Sequence, residues 1–144
     1  CEVYAYCLMP NHFHFCLQQL SEVPIYRIFN DSFTSYALHF NSKYNWKGRL
    51  FQDKLQHKQL HTDNYLISLC QYIHYNPKKA GLVDNLSEWQ FSNYLEFIKK
   101  RKGSLFSEHL RENFPDVFEN YENLITDYER HREDKKFVDL LIDQ

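Results

Sequence analysis

The sequence predicts an α+β fold, and three observations point there. Two short segments near the N-terminus alternate apolar and polar residues with period two, the mark of β-strands. Residues 24–43 instead place Ile25, Ile28, Phe29, Phe33, Tyr36, Ala37 and Phe40 at helical spacing. From Glu88 onward the chain reads as mostly helical. With only 3 Gly and 4 Pro in 144 residues, little of it is left for irregular loops.

The elements follow in order. Residues 2–8 and 12–18 are predicted strands joined by a turn at Met9-Pro10-Asn11. In the second, Phe13, Phe15 and Leu17 share the face opposite His12 and His14. The chain opens within the first strand, without an initiator Met, so a preceding strand and helix of a longer protein are expected to be missing. After the 24–43 helix, Lys43 to Lys58 is basic, and a strand is expected within Leu50 to Leu60. Thr62 or Asp63 is suited to cap a helix from about Asn64 to Tyr75. Pro77 is expected to interrupt that pattern and Gly81 to stop a short second segment. Three more helices are expected, over Trp89–Lys102, Ser107–Asn113 and Asp116 to about Asp143. The basic run Lys99-Lys100-Arg101-Lys102 reads as a solvated helix end, where cations are favoured.

Composition narrows the class. No apolar run approaches the roughly 18 residues a membrane span needs, and no leader pattern is visible. Cys1, Cys7, Cys16 and Cys70 form no CxxC pair, so buried free thiols in a reducing cytoplasm are expected. The net charge of −2 is unevenly spread. Residues 1–103 carry 12 Lys/Arg against 8 Asp/Glu, whereas residues 104–144 carry 5 against 11. A mildly basic body thus precedes an acidic region. The 11 Tyr, 12 Phe and 2 Trp suit base stacking and an aromatic core equally.

Three groups of residues carry chemistry. His12 and His14, separated by one apolar residue on a strand, project from one face, so both imidazoles can reach one divalent cation. Two structural histidines would read the same way. On the helix that follows Asn64, Tyr72 and Asn76 lie one turn apart on a common face. A phenol and an amide there can serve as nucleophile and metal ligand, although a tyrosine beside Leu69 and Ile73 also suits a core. The stretch Trp46-Lys47-Gly48-Arg49-Leu50-Phe51-Gln52-Asp53-Lys54 interleaves cations with aromatics. It can hold a phosphate backbone and stack bases, or be a solvated loop.

Four motifs in order, Met9 to His14, Gly48 to Gln52, Tyr72 to Val83 and Trp89 to Tyr94, resemble those of the single-tyrosine HUH transposases. Within these, residues 1–95 are most similar to the REP-associated tyrosine transposases. The resemblance implies a ferredoxin-like antiparallel sheet with helices on one face. It implies a catalytic domain over 1–95, N-terminally incomplete, followed by an acidic helical extension over 96–144. His12 and His14 would be metal ligands for Mg²⁺ or Mn²⁺, Asn76 a softer third ligand, and Tyr72 the nucleophile, with Tyr75 as internal competitor. Imidazole ligands are equally compatible with Zn²⁺ or Ni²⁺.

The implied substrate is single-stranded DNA beside a hairpin. Lys47, Arg49, Lys54 and Lys58 are candidates for phosphate contacts, and Phe51 or Trp46 for stacking. The implied chemistry is cleavage and rejoining through a 5′-phosphotyrosine link, without ATP. One tyrosine per chain leaves two strand events to two subunits or to two successive turns, so a homodimer and a monomer are both compatible. Two alternatives remain open: a non-catalytic single-stranded DNA or hairpin-binding protein, domesticated or decayed, and a metal-binding hydrolase of unrelated fold.

Overall fold

A hairpin supplies the sheet. In the computed structural model, which describes residues 1–60, 65–103, 105 and 107–131, strand β1 (Glu2–Leu8) pairs antiparallel with β2 (Phe13–Gln18). The register sets Cys7 opposite His14 and Ala5 opposite Cys16, with an irregularity between Val3 and Ala5. The turn closes by Met9 N–H donating to the His12 carbonyl at 2.9 Å. The two strands of the described residues are fewer than a complete ferredoxin-like sheet carries. The α+β class is nonetheless as predicted, with helices packed against the antiparallel pair.

The chain forms two compact units, Gln19–Lys58 with Cys1, and Glu2–Gln18 with the chain from Gln59 on. The first is built on α1 (Ile25–Tyr44). Asn45 ends this helix in the left-handed conformation (φ 49°), a conformation Asn tolerates because its short polar side chain bonds locally. The chain then folds back: Asn41 Nδ2 donates to the Gly48 carbonyl at 3.1 Å, and the Phe51 ring meets Phe33 at 4.9 Å. Gly48 takes φ 127°, which side chains rarely adopt. The strand expected within Leu50–Leu60 does not form. Its apolar residues Leu50, Phe51, Leu55 and Leu60 do not alternate with period two, and Phe51 is held by helix rings instead.

The second unit holds the core. Helix α2 (Leu66–Lys79) packs on the sheet face that carries Ala5, Cys7, His14 and Cys16, and against α6 (Tyr121–His131). The caps expected at Thr62 and Asp63 lie outside the described residues. Pro77 does not interrupt α2, contrary to expectation. It withholds one N–H from the last turn, but that turn is closed beyond it. Leu82 N–H donates to the Pro77 carbonyl at 2.9 Å, and Gly81 N–H donates to the Lys78 carbonyl at 3.0 Å. With Gly81 at φ 68°, this is a Schellman cap. Asn76-Pro77-Lys78-Lys79-Ala80-Gly81-Leu82 is therefore a helix-ending motif as well as a sequence signature.

Of the helix expected over Trp89–Lys102 only the single turn α3 (Tyr94–Phe97) forms, preceded by a 3₁₀ turn at Leu86–Glu88. The segment between them serves the sheet: Leu8 N–H donates to the Phe91 carbonyl at 2.8 Å, and Ser92 bridges to Cys7. The exposed backbone edge of β1 outweighs helical spacing here. Arg101 secures this rung. Its guanidinium donates to the Ser92 carbonyl and to the Gln90 carbonyl at 3.0 Å, and pairs with Glu96 at 2.7 Å. It is thus a structural cation rather than part of a solvated helix end. Helices α4 (Glu108–Asn113), α5 (Pro115–Glu119) and α6 follow. Ser107 caps α4 by accepting from Leu110 N–H at 2.9 Å and donates to Glu2 at 2.7 Å. The single helix expected from Asp116 is split between α5 and α6, and its part after His131 lies outside the described residues.

Candidate active site

The hairpin and α2 together position four of the residues singled out from sequence. His12, one residue before β2, and His14, on β2, lie with ring centroids 5.0 Å apart and edge to face. His14 in turn meets Tyr72 at 5.6 Å, again edge to face. His14 Nε2 is buried, whereas His12 is exposed at the turn. Asn11 Oδ1 lies 2.7 Å from His12 Nδ1.

Asn76 sits one turn beyond Tyr72 and donates through Nδ2 to the Tyr72 carbonyl at 2.9 Å. That bond fixes the amide group, whose oxygen is the atom with metal-binding capacity. The Lys79 ammonium lies 5.3 Å from the centroid of the Tyr72 ring, a cation–π distance. Tyr72 itself is only 3% exposed. Access to it from solvent therefore requires the packing around it to open.

Tyr75 is placed differently. Its hydroxyl donates to Glu129 at 3.2 Å and its ring meets Tyr128 at 5.7 Å. Lys78 holds the other Glu129 oxygen at 2.9 Å. Tyr75 thus faces α6, while Tyr72 faces the histidines.

Among the described residues, no group of three or more His, Cys, Asp or Glu gathers to hold a metal. A cation at this place would take two imidazoles from His12 and His14, with the Asn76 amide oxygen, water or substrate completing its shell. This neutral set of nitrogen and oxygen donors fits a divalent cation. Lys47, Arg49, Phe51, Lys54 and Lys58 belong to the other unit. There the Phe51 ring lies against Phe33 and Tyr36 and stays 38% exposed, while Trp46 is 57% exposed.

Sequence reasoning overlooked a buried polar hub beneath the site. His74 is fully enclosed. Its Nε2 lies 2.9 Å from Asn93 Oδ1 and its Nδ1 2.8 Å from the Tyr121 hydroxyl. Because an amide oxygen only accepts, Nε2 carries the hydrogen and Nδ1 accepts from Tyr121. Burial pushes the imidazole pKa down to about 4, against a smaller upward effect of the Asn93 bond. Asn93 also accepts from Tyr6 N–H at 2.7 Å and donates to the Tyr4 carbonyl at 3.0 Å. The hub therefore links the Tyr72 helix to the strand opposite His14. Its one sequence signal was position, since both residues fall inside the motifs 72–83 and 89–94.

The four cysteines are free as expected, with Cys7, Cys16 and Cys70 buried. Cys7, driven up to about 12 by burial, is inert as a nucleophile.

The site thus sets a pair of imidazoles at the start of β2 beside a tyrosine of α2. Comparison with known proteins is specific. Residues 1–76 match the model of the family described as "Transposase IS200 like", and the chain belongs to that family. It is similar to a provisionally named REP-associated tyrosine transposase of Haemophilus influenzae, 27% identical over 109 residues. The match covers 68% of this chain and 61% of that protein, so the chain spans about three-fifths of its relative's length. No solved structure matches. Among the described residues, no helix is long and apolar enough to cross a membrane.

Proposed function

We propose that this chain is the catalytic part of a metal-dependent transposase that cleaves and rejoins single-stranded DNA beside a hairpin. Tyr72 is the nucleophile, and His12, His14 and Asn76 are the ligands of a Mg²⁺ or Mn²⁺ ion. The observation that carries this reading is the meeting of His14 with Tyr72 at 5.6 Å, with His12 beside them. The packing of Tyr75 against α6 supports Tyr72 over its neighbour.

A divalent ion held by His12, His14 and Asn76 would supply undiminished positive charge to a phosphate, because none of these ligands is a carboxylate. The protein's own groups do the rest. The Tyr72 oxygen forms a bond to phosphorus as the bond from phosphorus to the 3′ oxygen breaks; the phenol gives up its proton, and the 3′ oxygen gains one and leaves as a hydroxyl. Lys79, over the Tyr72 ring, adds positive charge beside the reacting side chain. The bond energy stays in the 5′-phosphotyrosine, so a 3′-hydroxyl reverses the step. Lys47, Arg49, Lys54 and Lys58 hold the DNA backbone and Phe51 stacks on a base. The same active site serves a homodimer or a monomer acting twice.

A second reading, binding of single-stranded DNA or a hairpin without catalysis, is favoured by the enclosure of Tyr72. One experiment separates the two. Single-stranded DNA labelled at either end, carrying a hairpin, is incubated with Mg²⁺ or Mn²⁺ and the wild-type or Tyr72→Phe chain. A covalent adduct that keeps the 3′ label and vanishes with Tyr72→Phe is the expected result. An adduct that persists moves the nucleophile to Tyr75. Tight binding with no adduct establishes the second reading.

A further inference from the structure

We propose that Asn11 is a positioning residue: it selects the tautomer of His12 and so presents the Nε2 lone pair of that ring to the site. The inference rests on the reading of His12 as a metal ligand. Asn11 Oδ1 lies 2.7 Å from His12 Nδ1. An amide oxygen can only accept, so Nδ1 carries the hydrogen, and a neutral imidazole with hydrogen on Nδ1 keeps its lone pair on Nε2.

His12 needs such a guide. It lies at the exposed turn, just before β2 begins, and no core packing fixes its ring. His14, by contrast, is held between the strand and α2 by its contact with Tyr72. The turn itself is fixed by Met9 N–H on the His12 carbonyl, which keeps the Asn11 side chain beside the His12 ring. An acceptor on the far nitrogen of a ligating histidine orients the ring and makes the other nitrogen a better donor. In Met9-Pro10-Asn11-His12 that acceptor comes from the preceding residue in sequence. Asn is also a common turn residue, so the test must separate turn formation from the side-chain oxygen. Gly serves the turn without the oxygen, and Asp keeps an acceptor in nearly the same place.

The full chain is labelled with ¹⁵N-histidine, and the His12 tautomer is read from long-range proton–nitrogen correlations without metal, above the pH at which imidazoles protonate. Mn²⁺ affinity is then measured by calorimetry for wild type, Asn11→Gly, Asn11→Asp and His14→Ala. Wild-type His12 is expected to carry hydrogen on Nδ1. Asn11→Gly should populate both tautomers and weaken Mn²⁺ binding ~10-fold, and Asn11→Asp should restore the tautomer and at least the original affinity. An unchanged tautomer or an unchanged affinity in Asn11→Gly overturns the proposal. No Mn²⁺ uptake by the wild-type chain, or uptake indifferent to His14→Ala, instead sinks the metal-site reading. In that case the metal-free tautomer still decides whether Asn11 governs His12.

Discussion

At the scale of the residue, His74 makes a prediction that its surroundings define. The titratable groups facing it are the Tyr94 and Tyr121 phenols, both raised by burial, so none ionises in the acid range. The folded-state pKa of about 4 lies below the ordinary 6.5. The unfolded chain therefore binds a proton that the folded chain refuses between those values. The contribution to stability is complete above pH 6.5 and is lost as pH falls toward 4. By pH 5 the loss is about 2 kcal/mol. Urea unfolding at pH 7.5 and pH 5 should show a fall of that order in wild type. His74→Gln, neutral and still able to hydrogen-bond, should be less stable at pH 7.5 but lack this part of the acid dependence. Equal falls in both chains would assign the acid sensitivity elsewhere. The residue scale also shows what sequence alone could reach. His12, His14 and Tyr72 were legible because spacing and motif sufficed to place them. His74 and Asn93 were not, because their role exists only in contacts 19 residues apart and in a third partner, Tyr121, 47 residues away.

At the scale of the element, the same competition between local pattern and distant partner explains the misread segments. Trp89, Tyr94, Phe97 and Ile98 satisfy helical spacing, yet Phe91 and Ser92 are claimed by the edge of β1. Leu50–Leu60 has neither period-two alternation nor a β-branched residue, and no strand forms there. Helix α2 went the other way: Pro77 looked like an interruption, and the bonds that carry the helix past it belong to its Schellman cap. That cap is open to measurement. Gly81 has φ 68°, and a Cβ added there would meet nothing within 4 Å. The cost of Gly81→Ala is therefore conformational alone, about 1–2 kcal/mol. Asn tolerates the left-handed region better, so Gly81→Asn should cost less than Gly81→Ala in thermal or urea unfolding. Equal costs would mean that the cap does not set the end of the Tyr72 helix.

At the scale of the whole molecule, a net charge of −2 is a poor credential for binding DNA, and only the distribution of charge rescues the proposal. The acids concentrate after residue 104. There Glu122 and Glu129 pair with Lys100 and Lys78, so some of the basic charge of the body is already spent on holding α6. Arg101 is engaged as well, by Glu96 and two carbonyls. The cations assigned to DNA, Lys47, Arg49, Lys54 and Lys58, lie instead on a stretch with one acid, Asp53, and in a separate unit. If they contact phosphates, each releases counterions on binding, and the slope of log affinity against log salt shallows by about 0.7 for each such contact removed from a single strand. Arg49→Ala with Lys54→Ala should therefore weaken single-stranded DNA binding and flatten the slope by about 1.4. Replacing Lys99 and Lys102 by Ala, at the bend after α3, should leave the slope unchanged. Filter binding or fluorescence anisotropy between about 50 and 200 mM salt covers the range in which such contacts weaken measurably. A slope indifferent to the first pair and sensitive to the second would move the DNA path to the unit that holds Tyr72, and with it the whole assignment of the Lys43–Lys58 stretch.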